Sequence, residues 1–173
     1  MSKPHPGPRP NDGEAAWLED LLTRRIPLGG AMGVTVARLD DWGIELAAPL
    51  APNVNDKGTA FGGALASLMI LAGWSLPRLL LRHAGIQAEL VIGDCKVQFL
   101  EPVRSDFQAR CPWPQVPARE RFIARLGARG KGRLELAPEI VAGGRVAARL
   151  EARYAAIESK VGEPSMQQED QSG

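Results

Sequence analysis

The sequence predicts an α+β domain in which a curved antiparallel sheet wraps one long buried helix, and three observations carry that prediction. A stretch of twenty residues between Lys57 and Arg78 holds no charge, as a helix enclosed by protein on nearly all sides requires. Segments on both sides of it alternate apolar and polar residues with the period of a half-buried strand. The length of 173 residues and the 45% hydrophobic content suit a single domain whose core needs neither disulfide nor metal.

Composition excludes several classes of function. Lys+Arg 21 against Asp+Glu 20 leaves a formal charge of +1, so there is no global pull toward nucleic acid or a membrane surface. Two histidines rule out a multi-histidine metal centre. Cys95 and Cys111 form neither a CxxC pair nor, without neighbouring histidines, a zinc ligand set. A reduced, cytoplasmic setting is therefore expected.

In chain order, residues 1–13 are rich in proline and lack an apolar run, which reads as a disordered tail without a secretory signal. Residues 159–173 form a second polar tail, leaving 14–158 as the folded domain. Trp17, Leu18, Leu21, Leu22 and Ile26 recur at helical spacing, and Pro27 with Gly29 and Gly30 ends that run. Met32, Val34 and Val36 then alternate as a strand. Trp42, Ile44, Leu46 and Ala48 form a second, joined to the first by a hairpin at Asp40 and Asp41.

The uncharged stretch has the length of a membrane span. Four glycines, Thr59, Ser67, Ser75 and Pro77 dilute it, and no second span or basic flank accompanies it, so it is read as a buried helix with His83 at the surface near its end. Beyond it, Cys95, Val97 and Phe99 alternate with Asp94, Lys96 and Gln98, with a bulge at Gly93 and a stop at Pro102. A shorter strand, Phe107–Trp113, ends in prolines. Ala118–Arg129 is helical, with Phe122, Ile123 and Leu126 on one side and Arg121, Arg125 and Arg129 on the other. A strand through Leu134, Leu136 and Ile140 turns at Gly143 and Gly144 into a last strand. There Val146, Ala148, Leu150, Ala152 and Tyr154 face inward, while Arg149, Glu151 and Arg153 face outward.

The loop entering the buried helix reads Asn55-Asp56-Lys57-Gly58-Thr59-Ala60-Phe61-Gly62-Gly63. It resembles the N/D-x-x-G-x-x-H-G-G signature of hotdog-fold acyl-CoA thioesterases. The longer run APLAPNVNDKGTAFGGALASLMILAGW is similar to the bacterial thioesterase domain found C-terminal to acetyltransferase domains, and the similarity extends from Leu21 to Ile157. The resemblance implies a hotdog fold, a homodimer or homotetramer with sites shared between subunits, and an acyl-CoA or acyl-carrier thioester hydrolysed without a cofactor.

Gly62 is the expected oxyanion donor, because a glycine in the first helical turn lets a carbonyl approach free N–H groups at the positive end of the helix dipole. Asn55, matched through Gly58, takes the family position that orients water or thioester. Two positions depart from the pattern: the signature histidine is Phe61, and the acid nine residues further along is Ile70. No carboxylate lies between Asp56 and Glu89, so a base has to come from Asp56, Asp94 or a dimer partner, or else Asn55 and Ser67 only orient water. Phe61, Gly63, Ile70 and Trp74 are expected to line an acyl slot.

Each candidate also has a plain structural reading. The glycine pair serves close packing, Asn55 an Asx turn, and Ser67 a bond back to the preceding helical turn. Asp56 is a solvated loop or helix-start charge, and Asp94 lies on a solvated or interface face. The run Arg119–Arg133 carries six Lys+Arg against Glu120. It suits coenzyme A phosphates, with Arg125 and Arg129 as candidates, or is simply a solvated face. Gly127-Ala128-Arg129-Gly130-Lys131-Gly132 does not make an acetyltransferase pyrophosphate loop, since strand residues follow it. The alternative to hydrolysis is a non-catalytic acyl-thioester binding or regulatory module. A hotdog dehydratase is disfavoured because Phe61 stands where its histidine belongs.

Overall fold

The structure, a computed structural model, describes residues 6–159; the outer parts of the two predicted tails, 1–5 and 160–173, lie outside the described residues. The first described residues run back along the domain, where the Gly7 N–H donates to Asp41 O at 2.6 Å. α1 (Glu14–Asp20) continues through a π-helical turn into α2 (Pro27–Met32). Pro27, expected to end a helix, begins one. At the first helical position there is no hydrogen bond for proline to lose, and its φ is already helical. Met32 accordingly closes a helix rather than opening a strand, and Gly33 leaves it in the left-handed conformation with φ 70°.

β1 (Thr35–Leu39) and β2 (Gly43–Ala48) form the expected hairpin. The Asp40 carboxylate accepts the N–H groups of Trp42 and Gly43 at 2.9 and 3.3 Å. A single 3-10 turn, Ala51–Asn53, leads to α3 (Gly62–His83), followed by β3 (Ala88–Phe99), β4 (Phe107–Pro112), α4 (Val116–Arg129), β5 (Lys131–Leu136), β6 (Glu139–Ala142) and β7 (Arg145–Glu158). The sheet runs β1-β2-β4-β6-β7-β3, and β5 also lies against β7. All pairings are antiparallel. β5 and β6 divide at Ala137 and Pro138 what the alternation suggested was one strand, and the Pro138 carbonyl accepts Leu150 N–H at 2.9 Å instead of continuing the ladder. The bulge expected at Gly93 is present as a register slip between Ile92 and Asp94. Because β3 begins at Ala88, it extends six residues ahead of the alternation that starts at Asp94.

α3 is the core. Its length and mean hydropathy of 1.6 would suffice to cross a membrane, but 72% of that window is buried inside the fold. Leu65, Leu68, Met69, Ala72, Leu76 and Leu79 pack against the inward residues Ile44, Leu46, Phe107, Ala109, Ile140, Leu150 and Tyr154. Tyr154 donates its hydroxyl to Ile70 O on α3 at 3.0 Å. Gly73 makes room for that ring, since a Cβ there would lie 2.2 Å from the Tyr154 oxygen.

α3 continues past Pro77 to His83, which lies at the surface as expected, with its side chain turned onto α1. His83 Nε2 lies 2.7 Å from Glu14 Oε1, with the His83 side chain only 19% exposed and that of Glu14 only 2%. The Arg82 guanidinium sits 4.1 Å over the Trp17 ring. α1 also covers one sheet edge, where Glu19 Oε2 accepts the Val36 N–H of β1 at 2.7 Å. β3, the opposite edge, has no strand on its outer side among the described residues.

Gly73→Ala should lower the unfolding free energy by about 1–3 kcal/mol through overpacking, although alanine is the better helix former. Gly127→Ala in α4, where an added Cβ meets nothing within 4 Å, should raise it by about 0.5–1 kcal/mol. Urea denaturation of the two variants reads both signs. Cys95 is exposed and Cys111 buried, and burial pushes the Cys111 thiol well up. A thiol reagent should therefore label Cys95 in the folded protein and Cys111 only after unfolding.

Candidate active site at the start of the central helix

Asn53 holds the loop that delivers the chain to α3. Its buried amide donates to Met32 O and to Pro49 O, both at 2.8 Å, and its carbonyl accepts Phe61 N–H at 2.7 Å. One residue thus ties α2, the end of β2 and the start of α3 together. The sequence reading missed it, because an asparagine in a polar loop looks the same whether it is buried or solvated.

Asn55 closes the loop on itself. Its Oδ1 accepts the Lys57 and Thr59 N–H groups at 2.9 and 3.1 Å, and its Nδ2 donates to Thr59 Oγ1 at 2.9 Å. Gly58, at φ 71°, supplies the left-handed residue that the turn needs. Both ends of the Asn55 amide are therefore occupied by the Asx turn. Asp56 is 79% exposed and paired with Lys57 Nζ at 2.9 Å.

Phe61 precedes the first turn, and its carbonyl accepts Ala64 and Leu65 N–H at 2.9 and 3.1 Å. The N–H groups of Gly62 and Gly63 have no hydrogen-bond partner among the described residues. They sit at the positive end of a 22-residue helix, where free N–H groups and the dipole together favour negative charge. Both glycines also permit close packing. A Cβ on Gly63 would lie 2.3 Å from the Phe61 ring, and one on Gly62 would lie 3.3 Å from the Phe99 ring.

Two pockets open on this turn. One, of about 340 Å³, lies on the Gly62 side and is walled by Ala60, Leu65, Phe99, Leu100, Glu101 and Val103. The other, of about 310 Å³, is mostly apolar, with Leu28, Met32, Val54, Phe61, Gly63, Ala64 and Ser67 in its wall. Phe61, 57% exposed, overhangs the second. Ser67 lines it too, with no side-chain hydrogen bond among the described residues; the bond back to the preceding turn is made by Ser75, to Leu71 O at 2.7 Å.

Glu101 is the only carboxylate in either wall. It is held by an ion pair with Arg145 and by its own N–H, which joins that of Leu100 on Ala147 O. No sequence signal links it to Gly62: the two are brought together by the Ala60 N–H donating to Val103 O at 2.8 Å and by the Phe99 ring packing on Gly62.

The other candidates lie elsewhere. Ile70 and Trp74 are half-buried further along α3, and the Trp74 indole donates to Leu90 O at 3.1 Å, tying the helix to β3. Asp94 is registered with Arg153, between the inward-facing Ala152 and Tyr154. It thus faces away from α3 and pairs with Arg153 at 2.9 Å. Arg125 lines a cleft between α4 and β5, and Arg129 stands in the last turn of α4. Neither lines the two pockets.

The arrangement offers two aligned donors for a developing oxyanion, a nearby carboxylate that can take a proton, and an apolar slot. A donor of this kind is worth roughly 2.7–4 kcal/mol of transition-state stabilisation in acyl transfer.

Comparison with known proteins leads to a thioesterase family. The family model described as "Putative thioesterase (yiiD_Cterm)" matches residues 15–158. Among solved structures, a protein of unknown function from Chlorobaculum tepidum TLS is 25% identical with a TM-score of 0.82, covering 86% of this chain and 96% of that one. A structure named as a putative thioesterase from Shewanella oneidensis is 24% identical with a TM-score of 0.76, covering 85% and 99%. A thioesterase from Haemophilus influenzae shares the fold at 17% identity and a TM-score of 0.59, covering 82% and 90%. With the family model matching most of its length, the chain belongs to the putative thioesterase (yiiD_Cterm) family and has the hotdog fold.

Proposed function

We propose that the protein hydrolyses an acyl-CoA or acyl-carrier thioester, with the carbonyl oxygen on the N–H groups of Gly62 and Gly63 and Glu101 as general base. The observation that carries this reading is that the unpartnered Gly62 N–H and the Glu101 carboxylate belong to one pocket at the helix start, with the unpartnered N–H of Gly63 on the adjoining pocket. The acyl group enters the apolar pocket beneath Phe61, and the thiol side leaves over Phe99. Glu101 takes a proton from water as the water oxygen bonds to the carbonyl carbon. The resulting oxyanion is held by the glycine donors; its collapse breaks the C–S bond, and the thiolate recovers the proton from Glu101. Asn55 and Asp56, expected as catalytic candidates, serve in this reading as the turn that sets the helix start.

A second copy of the chain on β3 fits the same reading. β3 is a 12-residue strand whose outer edge is unpaired among the described residues, and it exposes Val91 and Phe99, with Phe61 also exposed. An open edge with exposed apolar side chains is a template for pairing with another strand.

The test is release of free thiol from a panel of acyl-CoAs. Glu101→Gln should lower kcat by about 10²–10⁴-fold with KM little changed. Asn55→Ala should leave kcat nearly unchanged while costing about 1 kcal/mol of stability through the lost turn bonds. Binding without turnover in the parent protein would mark a non-catalytic acyl-thioester module, and absence of both would refute the reading. Phe61→Ala, which removes the roof of the acyl pocket, should shift preference toward longer or bulkier acyl groups by about tenfold or more in relative kcat/KM, read from the same panel.

A further inference from the structure

The sheet splits beside α4. β4 pairs with β6 only over Gln108, Ala109 and Arg110, then turns away through Pro112, while β5 continues along β7. A cleft of about 1010 Å³ opens between them, with α4 along one side. Four arginines line it: Arg121 and Arg125 on α4, Arg133 on β5 and Arg153 on β7. Arg153 is paired with Asp94 at 2.9 Å and Glu135 at 3.5 Å. Arg121, Arg125 and Arg133 have no acidic partner within 4.0 Å among the described residues, and Glu135 is the only acid in the wall. Arg121 and Arg125 are one helical turn apart, where like charges repel. A bound anion would relieve that repulsion.

Two of the four tryptophans also line the cleft. Trp113 is buried and fixed by its indole N–H on Asp40 O at 2.8 Å, and Trp42 is half-buried at the rim. Guanidinium groups bind phosphate in bidentate fashion, and an indole face stacks on a nucleobase. We propose that this cleft is a second ligand site, for a nucleoside phosphate bearing two or more phosphate groups: Arg121, Arg125 and Arg133 hold the phosphates and Trp42 takes the base.

The site is separate from the start of α3. Phe99, which touches Gly62, is registered with Ala148, whereas Glu135 and Arg133 are registered with Arg153 and Ala155. That separation is roughly 16–23 Å along β7, and Arg133 and Arg153 alternate with the inward-facing Leu134, Ala152 and Tyr154. A ligand here therefore does not fill the thioester pocket of its own chain, and its binding stands or falls independently of the hydrolysis proposed above.

The nucleotide could be free or the nucleotide end of coenzyme A, and titration of the full chain distinguishes the two. Tryptophan fluorescence and calorimetry would follow ATP, coenzyme A, pyrophosphate and adenosine in parallel. Saturable binding of ATP or coenzyme A is expected. Arg121→Gln with Arg125→Gln should weaken it at least about tenfold, Trp42→Phe should weaken it less, and Glu101→Gln should leave it unchanged. ATP displacing coenzyme A would identify the shared nucleoside phosphate as the ligand, and coenzyme A binding without ATP would identify the carrier as its source. Adenosine alone should not bind. The proposal is overturned if neither nucleotide binds at ~1 mM in ~0.1 M salt, if the arginine double variant binds normally, or if pyrophosphate binds as tightly as ATP.

Discussion

A helix of 22 residues, about 33 Å long and without a charge before Arg78, has to be covered along most of its length or it becomes a liability in water. The rest of the domain answers that requirement. β2, β4, β6 and β7 turn their apolar faces onto α3, and a strongly twisted antiparallel sheet is the surface that can curve around a rod. Contact is closest where Gly73 meets Tyr154, whose hydroxyl also reaches the Ile70 carbonyl. A side chain as large as tyrosine fills that space only because the helix presents no Cβ there. At the far end, Glu14, His83, Arg82 and Trp17 close the helix against α1.

The start of α3 is left open by this arrangement, and the candidate chemistry follows from that opening. Buried N–H groups without partners are costly. Those of Gly62 and Gly63 can remain unpaired because the two pockets admit water or a ligand. The glycines meet a second demand at the same time, since the Phe61 and Phe99 rings lie where their side chains would be. With phenylalanine in place of the signature histidine, the pocket wall there is apolar, and the nearby carboxylate is Glu101 on the chain segment after β3. Its ion pair with Arg145 ties it to the first residue of β7.

Much of the fold was legible in the sequence, because burial leaves a local periodic trace. The charge-free run marked α3, alternation marked β2 and β7, prolines marked the end of β4, Gly93 marked the bulge, and Asp40 with Asp41 marked the hairpin. The misreadings occurred where one residue type has two uses. Pro27 stops a helix in the interior but starts one at the first position. The site was less legible. The Asn55–Gly63 loop identified the correct helix start, and the Asx turn of Asn55 could be foreseen from its residue type. Gly62, Gly63, Phe61 and Ser67 came together there, while Asp94, Arg125 and Arg129 lie on other faces.

By itself, the amino-acid order determined which segments are helix or strand, which side of each is apolar, and where a helix begins with two glycines that leave donors free. These are properties of neighbours a few residues apart, so they can be read from spacing. Which carboxylate stands beside those donors, and which arginines face one cleft, was decided by the order β1-β2-β4-β6-β7-β3. Docking the loop before α3 on the segment after β3, through Ala60 N–H and Val103 O, carries Glu101 to Gly62, and pairing β7 with β3 aims Asp94 outward. Ending the β4–β6 ladder after a few residues opens the cleft that Arg121, Arg125, Arg133 and Arg153 share. Strand pairing joins residues distant in the chain through backbone hydrogen bonds that any side chain can accompany, and so it leaves no local mark on the residues it brings together.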